Sequence, residues 1–313
     1  MQAEYEIKIR GRLGPDDTDD KNIRILNRCL EWRADGLAYE ADPRHAELVV
    51  KDLGLENSKP MVTPGIKVVV SEDEDEYLAG EEATAYRRLV ARLNFLAQDR
   101  HDIAYATKEL ARGMANPKLS DWERLKRMGR YLVGRMRYVI MYHFQKDTYA
   151  INAFSDSDWA GDLASRKSTT GGCLMIGDHC IKAWSVNQSV IALSSGEAEF
   201  YALTRAAAMA LGAQSLLADL GVNLKVRVLT DATTGKAIAS RRGLGKVRHI
   251  ATHELWIQEK VMRGNIELIK IKNVFNTADL FTKHLDRQTM DSCVTGMGHR
   301  FEGGRNLEAP ELN

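Results

Sequence analysis

The stretch "YAINAFSDSDWAGD", residues 149–162, joins an apolar, strand-like run to a group of aspartates. Asp156, Asp158 and Asp162 fall within seven positions at the end of that run. They are compatible with a solvated turn, a local cation site, or one edge of an active site completed from elsewhere in the chain. A single aspartate at such a place is more often a cap or turn residue than a functional one. Acidic residues at equivalent places downstream would favour the third interpretation.

Strand and helix patterns surround this stretch. "RYVIMYHF" precedes it, and "GGCLMIGDHC" and "IKAWSV" follow, joined by a turn at Gly177-Asp178. The pattern then predicts a helix over 195–219, the strand "KVRVLTD", helices from Thr233 to about Arg241 and over 248–262, the strand "NIELIKIK" and the short helix "TADLFTKHL". Strands first, then helices alternating with strands, predict an α/β fold with a mixed sheet covered by helices.

The remaining chain divides by composition. Residues 1–66 have a partial α/β pattern, and 67–83 form an acidic linker whose stretch "SEDEDEYLAGEE" has seven carboxylates and no base. Residues 84–146 show three helical apolar stripes, and 86–146 carry 14 Lys/Arg against 5 Asp/Glu. This basic segment is compatible with a phosphate-backbone partner or with a solvated helix face. Residues 286–313 are Gly-rich and polar, and we expect a loose tail.

Four acids occupy equivalent places in the predicted α/β region. Asp156 ends the first strand, Glu199 lies in the first turns of the long helix, Asp231 ends "VRVLTD", and Asp279 opens the last short helix. The carboxyl ends of parallel strands meet at one edge of a sheet, where α/β proteins place their sites. Clustered carboxylates repel one another unless divalent cations neutralise them. Oxygen-only ligands favour Mg²⁺ or Mn²⁺ over zinc, and two such ions support in-line attack on a phosphodiester.

Four motifs occur in an order that resembles a known family: "FSDSDWAGDLASRKSTTGG", "IKAWSVNQSVIALSSGEAEFYAL", "LTDATTG" and "NTADLFTKHL". Over about residues 150–285 they resemble the ribonuclease H domain of Ty1/copia-type retrotransposon Pol polyproteins. Upstream, "YRRLVARLNFLAQDRHDIAYATKELARGMANP" and "RLKRMGRYLVG" are similar to the segment that joins reverse transcriptase to ribonuclease H in that family. "GLENSKPMVTPG" resembles the end of the polymerase region.

The resemblance implies a C-terminal fragment of such a polyprotein. It comprises the end of a reverse transcriptase (1–66), the linker, a helical thumb/connection segment (84–146) and a ribonuclease H-like domain with a mixed five-stranded sheet (147–285). The sequence has no Tyr/Phe-x-Asp-Asp signature, so we expect no polymerase catalytic palm. The remainder of a Pol polyprotein or reverse transcriptase is an expected partner.

Carried over by motif, the family's metal-binding acids fall on Asp156, Glu199, Asp231 and Asp279, with Glu197 the weaker of the two glutamates in "GEAEF". The resemblance makes Asp158 a positioning residue. Two departures leave these ligands intact. The family usually has Arg-Pro-Asp where this chain has Arg100-His101-Asp102, and Asn where it has Ala232.

These features predict an endonuclease that uses two Mg²⁺ ions, or Mn²⁺ as a substitute, to cut the RNA strand of RNA–DNA hybrids. A hybrid is recognised mainly by its shape and its 2′-hydroxyls, which favours small polar groups beside the acids. The candidates for such contacts are Gln188, Ser194, Ser195 and Thr233. The candidates for phosphate contacts are Arg124, Lys126, Arg127 and Arg130. The alternative is a catalytically decayed or co-opted remnant that binds nucleic acid without cutting it.

Composition narrows the class of protein. With 44% hydrophobic and 28% charged residues, the sequence is typical of a soluble globular protein. No apolar run reaches the roughly 18 residues of a membrane span, and the N-terminus has no signal-peptide core. Four cysteines in 313 residues do not make a disulfide framework. We therefore expect no membrane partner and an intracellular location, either cytoplasmic, in a virus-like particle, or nuclear.

Overall fold

The computed structural model describes residues 6, 8–67, 75–146, 148–245 and 247–312. Its strands are β1 (Asn22–Ile25), β2 (Arg28–Arg33), β3 (Gly36–Glu40), β4 (Arg137–His143), β5 (Ala150–Asp158), β6 (Thr169–Ile176), β7 (His179–Asn187), β8 (Lys225–Thr230), β9 (Ile266–Lys270) and β10 (His299–Glu302). Its helices are α1 (Arg44–Asp52), α2 (Gly80–Leu96), α3 (Ala104–Arg112), α4 (Leu119–Gly134), α5 (Ser195–Asp219), α6 (Thr233–Ser240), α7 (Trp256–Met262) and α8 (Arg287–Gly296).

A mixed five-stranded sheet has the order β7-β6-β5-β8-β9. β5 pairs antiparallel with β6 and parallel with β8, which in turn pairs parallel with β9. Helix α5 packs across β5, β6 and β8. Its contact face carries small, fully buried residues at a four-residue spacing, Ala202, Ala206 and Ala210, which lets the helix lie close to the sheet. The prediction of a ribonuclease H-like mixed five-stranded sheet flanked by helices is confirmed.

A second sheet, which sequence reasoning did not anticipate, has the order β1-β2-β3-β4-β10 and is antiparallel throughout. It takes β10 from a region expected to be a loose tail. That expectation does not hold for residues 287–302, because α8 buries Met290 and Val294, with Met297 directly after it, and β10 pairs with β4. The apolar face of α8 packs into the hydrophobic core and so holds this segment in place.

The helical segment shares a hydrophobic core with the mixed sheet. The three predicted stripes are buried, for example through Leu93, Leu110 and Leu125. One continuous apolar cluster joins them to Cys173 of β6 and to Phe281. The stripes are therefore core packing, and the mixed sheet packs directly on the helices that precede it.

Most predicted element boundaries agree with the structure. Helix α5 has the predicted bounds, but the predicted helix over 248–262 is reduced to a 3-10 turn (Thr252–Leu255) followed by α7. Part of the acidic linker, 68–74, lies outside the described residues. After it, the Asp75 carboxylate accepts hydrogen bonds from the backbone and the hydroxyl of Ser120. Within the described ranges, no helix has both the length and the apolar character to cross a bilayer.

Candidate active site

Four elements bring the four predicted acids to one edge of the mixed sheet. Asp156 lies near the carboxyl end of β5, and Asp231 directly follows the parallel neighbour β8. Glu199 is in the second turn of α5, which packs across both strands. Asp279 lies in the 3-10 turn Thr277–Phe281, which contacts β5 and β6. Parallel strands with helices packed on them place side chains from distant parts of the sequence at this edge.

The acids lie close together. One carboxylate oxygen from each of Asp156, Glu199 and Asp231 lies within 4.8 Å of the other two. Asp279 joins them through Lys283, whose Nζ is 2.9 Å from Asp279 Oδ1 and 3.7 Å from Asp156 Oδ2. We call Asp156, Glu199, Asp231 and Asp279 the acid cluster.

The segment around Asp279 supplies polar side chains that hold the acid cluster. The Thr282 hydroxyl donates to Asp156 Oδ2, and Asn276 Nδ2 donates to Asp231 Oδ1 at 3.5 Å. In the amide orientation that satisfies both neighbours, Asn273 donates to Asp231 Oδ2 at 2.9 Å and to Asp279 Oδ2 at 3.3 Å. Sequence reasoning missed these residues and Lys283. The available signal was the dense run of polar side chains in "NVFNTADLFTK" around the last acid.

The acid cluster is electrostatically strained. Burial raises the pKa of Asp156 to about 7, although Lys283 acts in the opposite direction. Burial and then the charge of Asp156 raise the pKa of Glu199 to about 8, and burial also raises the pKa of Asp279. Desolvation and like charges both disfavour the ionised carboxylates.

The donor set fits a divalent cation. The buried Glu199 Oε2 has no hydrogen-bond partner among the described residues. Lys283 supplies one positive charge beside four carboxylates. Oxygen-only ligands of this kind suit Mg²⁺ or Mn²⁺, and Asp156, Glu199, Asp231 and Asp279 are the residues that would hold such ions.

Glu197 has a different environment from Glu199, two residues away on α5. Its carboxylate accepts hydrogen bonds from the Leu193 amide (2.9 Å) and from the Tyr201 hydroxyl (2.9 Å), and lies 2.7 Å from His249 Nε2. These partners fix Glu197 at the N-terminal end of α5. Glu199, and not Glu197, is therefore the glutamate that lies with Asp156 and Asp231.

The other two aspartates of "SDSDWAGD" lie outside the three-acid group described above. Asp162 forms a turn, because its carboxylate accepts from the Ala164 amide at 3.2 Å and from the Ser165 hydroxyl. Asp158 packs against the backbone at Gly161, where an added Cβ would clash with Asp158 Oδ2. The glycine is required by this close approach.

The four candidates for substrate contacts occupy two kinds of place. Gln188 is buried, and its Nε2 donates to Thr170 Oγ1 (3.0 Å) and to the Ala198 carbonyl (2.9 Å). Ser194, Ser195 and Thr233 are exposed at the starts of α5 and α6. Ser194 also caps α5 by accepting from the Glu197 amide at 3.2 Å, and the Thr233 hydroxyl bonds with Lys270.

The four basic candidates lie on α4 and already have partners within the chain. Arg127 donates to Thr63 Oγ1 at 2.9 Å, and Arg130 donates to the Lys59 carbonyl at 2.8 Å. Arg124 and Lys126 form ion pairs with acids three residues earlier, and their side chains remain 39% and 41% exposed. All four are half-buried, so each would have to exchange or share its present partner to contact a phosphate.

Comparisons with known proteins agree with the ordered motifs. The Pol polyprotein from transposon RE2 of Arabidopsis thaliana is 31% identical over 218 residues, 69% of this chain and 15% of that protein. The Pol polyprotein from transposon TNT 1-94 of Nicotiana tabacum is 27% identical over 279 residues, 87% of this chain and 21% of that protein. The chain belongs to the Ty1/copia-type retrotransposon Pol family.

This copia-type Pol chain thus spans 15% to 21% of the length of these two relatives. An uncharacterized mitochondrial protein of Arabidopsis thaliana, AtMg00810, is 34% identical over 171 residues, 54% of this chain and 70% of that protein. No protein-family model matches the copia-type Pol chain.

Two solved structures of ribonuclease H proteins match parts of the copia-type Pol chain. The crystal structure of LC11-RNase H1 in complex with RNA/DNA hybrid covers 42% of this chain and 93% of that chain, with 20% identity and a TM-score of 0.31. The N-terminal RNase H domain of a Mycobacterium tuberculosis protein covers 47% and 98%, with 18% identity and a TM-score of 0.31. At this TM-score, the fold assignment rests on the strand order and pairing described above.

Proposed function

We propose that this chain is a two-metal endonuclease that cleaves the RNA strand of RNA–DNA hybrids. The observation that carries the proposal is the acid cluster, in which carboxylates from Asp156, Glu199 and Asp231 lie close together and Lys283 bridges Asp156 and Asp279. Buried like charges destabilise the folded state, and such a cluster at one edge of a sheet is typical of a functional site. Membership of the copia-type Pol family supports the proposal.

Two Mg²⁺ ions held by the acid cluster would supply an activated water and stabilise the departing oxygen of the phosphodiester. The chain's own part is to bind and orient. Thr282 fixes the Asp156 carboxylate, while Asn273 and Asn276 fix that of Asp231. This role requires no nucleophilic side chain.

Exposed hydroxyls beside the acid cluster suit contacts with a hybrid. The exposed hydroxyls are those of Ser194, Ser195 and Thr233. They lie at the start of α5, which carries Glu199, and at the start of α6, which begins two residues after Asp231. Hydroxyl groups both donate and accept, as recognition of a 2′-hydroxyl requires. Gln188 would act behind them by holding the first turn of α5. The proposal keeps Arg124, Lys126, Arg127 and Arg130 as phosphate contacts, and the side chains of Arg124 and Lys126 are 39% and 41% exposed.

The proposed organisation follows the family resemblance. Residues 1–66 would be the end of a reverse transcriptase, 67–83 a linker, 84–146 a connection, 147–285 the nuclease and 286–313 a C-terminal extension that contributes α8 and β10. The remainder of a Pol polyprotein would be the protein partner, in an intracellular setting.

One observation favours the alternative of a non-cleaving nucleic-acid-binding remnant. Lys283 already bridges Asp156 and Asp279, so an ammonium group lies where a metal ion would compete for the same carboxylates. In that case the chain would bind the hybrid without forming product in Mg²⁺ or Mn²⁺.

The test is hybrid cleavage with the RNA strand labelled, in Mg²⁺, Mn²⁺ and EDTA. We expect cleavage in either metal and none in EDTA. Asp156→Asn is expected to reduce the rate by at least about 100-fold, because a metal ligand is lost. Asp162→Asn, which keeps the capping oxygen of the neighbouring turn, is the matched control and should cut normally. Equal rates for wild type and Asp156→Asn would refute the proposal, and salt-sensitive binding without product would support the alternative.

A further inference from the structure

A second group of metal-ligating side chains meets inside the protein. His101 opens the 3-10 turn before α3, Cys180 is on β7, and His299 opens β10. One ring nitrogen of each histidine and the Cys180 sulfur lie within 4.8 Å of one another, and all three residues are buried. We call these three residues the His-Cys cluster.

Two nitrogens of the His-Cys cluster lack partners. His101 Nδ1 and His299 Nε2 are buried and have no hydrogen-bond partner among the residues that the structure describes. A buried polar atom without a hydrogen-bond partner destabilises the fold, so two such atoms in one cluster indicate a missing ligand. Cys180 is a free thiol at the same place.

The surroundings orient His299 as they would a metal ligand. Its Nδ1 lies 2.6 Å from the Tyr138 hydroxyl. When Nδ1–H donates to that oxygen, the imidazole keeps its lone pair on Nε2, the unpartnered atom. A hydrogen bond on the far ring nitrogen is the usual way in which proteins fix the tautomer and direction of a ligating histidine.

We propose that His101, Cys180 and His299 bind a thiophilic transition-metal ion, and we commit to Zn²⁺. Bonds of about 2.0–2.3 Å place tetrahedral ligand atoms about 3.3–3.8 Å apart, so the side chains need to close by at most about 1.5 Å, and a water would complete the four ligands. Binding would release the Cys180 thiol proton to solvent and leave both imidazoles neutral. Imidazole and thiolate ligands select against Mg²⁺, so the His-Cys cluster differs chemically from the acid cluster.

The ion would connect three parts of the fold. β7 is the edge strand of the mixed sheet and contacts β4, the strand that pairs with β10. A metal held by Cys180 and His299 would therefore join the two sheets, and His101 would add the turn that precedes α3. Because the ligands come from three remote segments, the site exists only in the folded chain, and binding stabilises that state.

The experiment is to fold the full chain with Co²⁺ as a spectroscopic probe and, in parallel, with Zn²⁺. For wild type we expect a thiolate-to-cobalt charge-transfer band, the visible bands of tetrahedral Co²⁺ and, after dialysis, about one zinc ion per chain. The charge-transfer band requires a cysteine ligand, so binding at the acid cluster cannot produce it. Zn²⁺ present during folding should also raise the Tm of wild type.

Variants assign the ligands. Cys180→Ser and His101→Ala should each lose the tetrahedral cobalt spectrum, and Zn²⁺ should raise their Tm less than it raises that of wild type. Cys29→Ser replaces another buried free thiol, on β2, and should keep both. A folded wild type without the charge-transfer band would overturn the proposal, as would a Cys180→Ser chain that retains it. If Cys180→Ser does not fold, His101→Ala decides, because it leaves every thiol in place and an unchanged spectrum would exclude the site.

Discussion

Buried acids serve opposite purposes in two regions of this molecule. In the 3-10 turn before α3, the Asp102 carboxylate accepts two hydrogen bonds from Arg100 (2.9 and 2.7 Å) and one from the Tyr131 hydroxyl (2.7 Å). In the acid cluster, Lys283 pairs with Asp156 and Asp279, and the buried Glu199 Oε2 has no hydrogen-bond partner among the described residues. The first arrangement stabilises the fold. The second leaves carboxylate oxygens that, under the proposed function, a cation from solution would bind.

The second sheet repeats the paired arrangement. Glu40 accepts from Arg137 at 2.6 and 2.7 Å, and Glu302 accepts from Arg33 at 2.6 Å. Bidentate arginine–carboxylate pairs of this kind are complete without further ligands. The contrast separates structural acids from candidate catalytic ones by their partners, which sequence position alone does not give.

The largest stability effect is expected at Asp102. Asp102→Asn leaves the buried Arg100 guanidinium without its counter-charge, which costs about 3–5 kcal/mol. Urea unfolding monitored by circular dichroism measures this loss. Asp291→Asn, which disrupts the half-exposed pair with Arg135, is the control and should cost about 1 kcal/mol or less. Similar losses for the two variants would contradict the structural role of Asp102.

The paired acids also predict that the protein loses stability at low pH. Hydrogen bonds from Arg33 lower the pKa of Glu302 to about 2. A lowered folded-state pKa means that this stabilisation is present above the ordinary glutamate pKa near 4.3 and is lost as pH falls towards 2. Between these pH values, the unfolding free energy of Glu302→Gln should therefore decrease less with falling pH than that of wild type. Glu267→Gln, at an exposed pair on β9, is the control, and equal pH slopes for wild type and Glu302→Gln would break the comparison.

The smallest effect is expected on the basic helix α4. Lys126→Ala should change stability by less than about 0.5 kcal/mol, because its ion pair with Glu123 is exposed. If Lys126 contacts a phosphate, the slope of log hybrid affinity against log salt should fall by about 1. Lys225→Ala is the control, since Lys225 begins β8 at the end opposite Asp231. Identical slopes for all three proteins would remove Lys126 from the interface.

Local patterns predicted much of the fold, and remote contacts account for the rest. Helix α5 and the strands of the mixed sheet follow from apolar periodicity and turn residues, which are properties of short windows. The second sheet was missed because β10 pairs with β4 about 160 residues earlier, which no window contains. The same holds for His101, Cys180 and His299, each of which is an ordinary core residue in its own segment.

The acidic residues of the site could be predicted from the sequence, but the residues that hold them could not. Asp156, Glu199, Asp231 and Asp279 stand at strand ends or helix starts within long ordered motifs, and the structure brings them together. Whether they bind metal is a prediction that awaits experiment. Lys283, Thr282 and Asn273 act through contacts with acids from other elements, so their roles became visible only in three dimensions.

The most direct test of the central claim, that the acid cluster is built for cations rather than for stability, compares two glutamates on one helix. Tm is measured in EDTA and in Mg²⁺ for wild type, Glu199→Gln and Glu197→Gln, with hybrid cleavage measured in parallel. In EDTA, Glu199→Gln should be at least as stable as wild type, because burial and Asp156 disfavour the charged form of Glu199 and glutamine carries no charge. Glu197→Gln should have a lower Tm, equivalent to a loss of about 1–3 kcal/mol of unfolding free energy, because it disrupts satisfied buried hydrogen bonds.

Mg²⁺ should then raise the Tm of wild type more than that of Glu199→Gln. The cleavage rate of Glu199→Gln should be at least about 100-fold below that of wild type. A Glu199→Gln chain that is destabilised in EDTA, responds fully to Mg²⁺ and cuts at the wild-type rate would contradict the account.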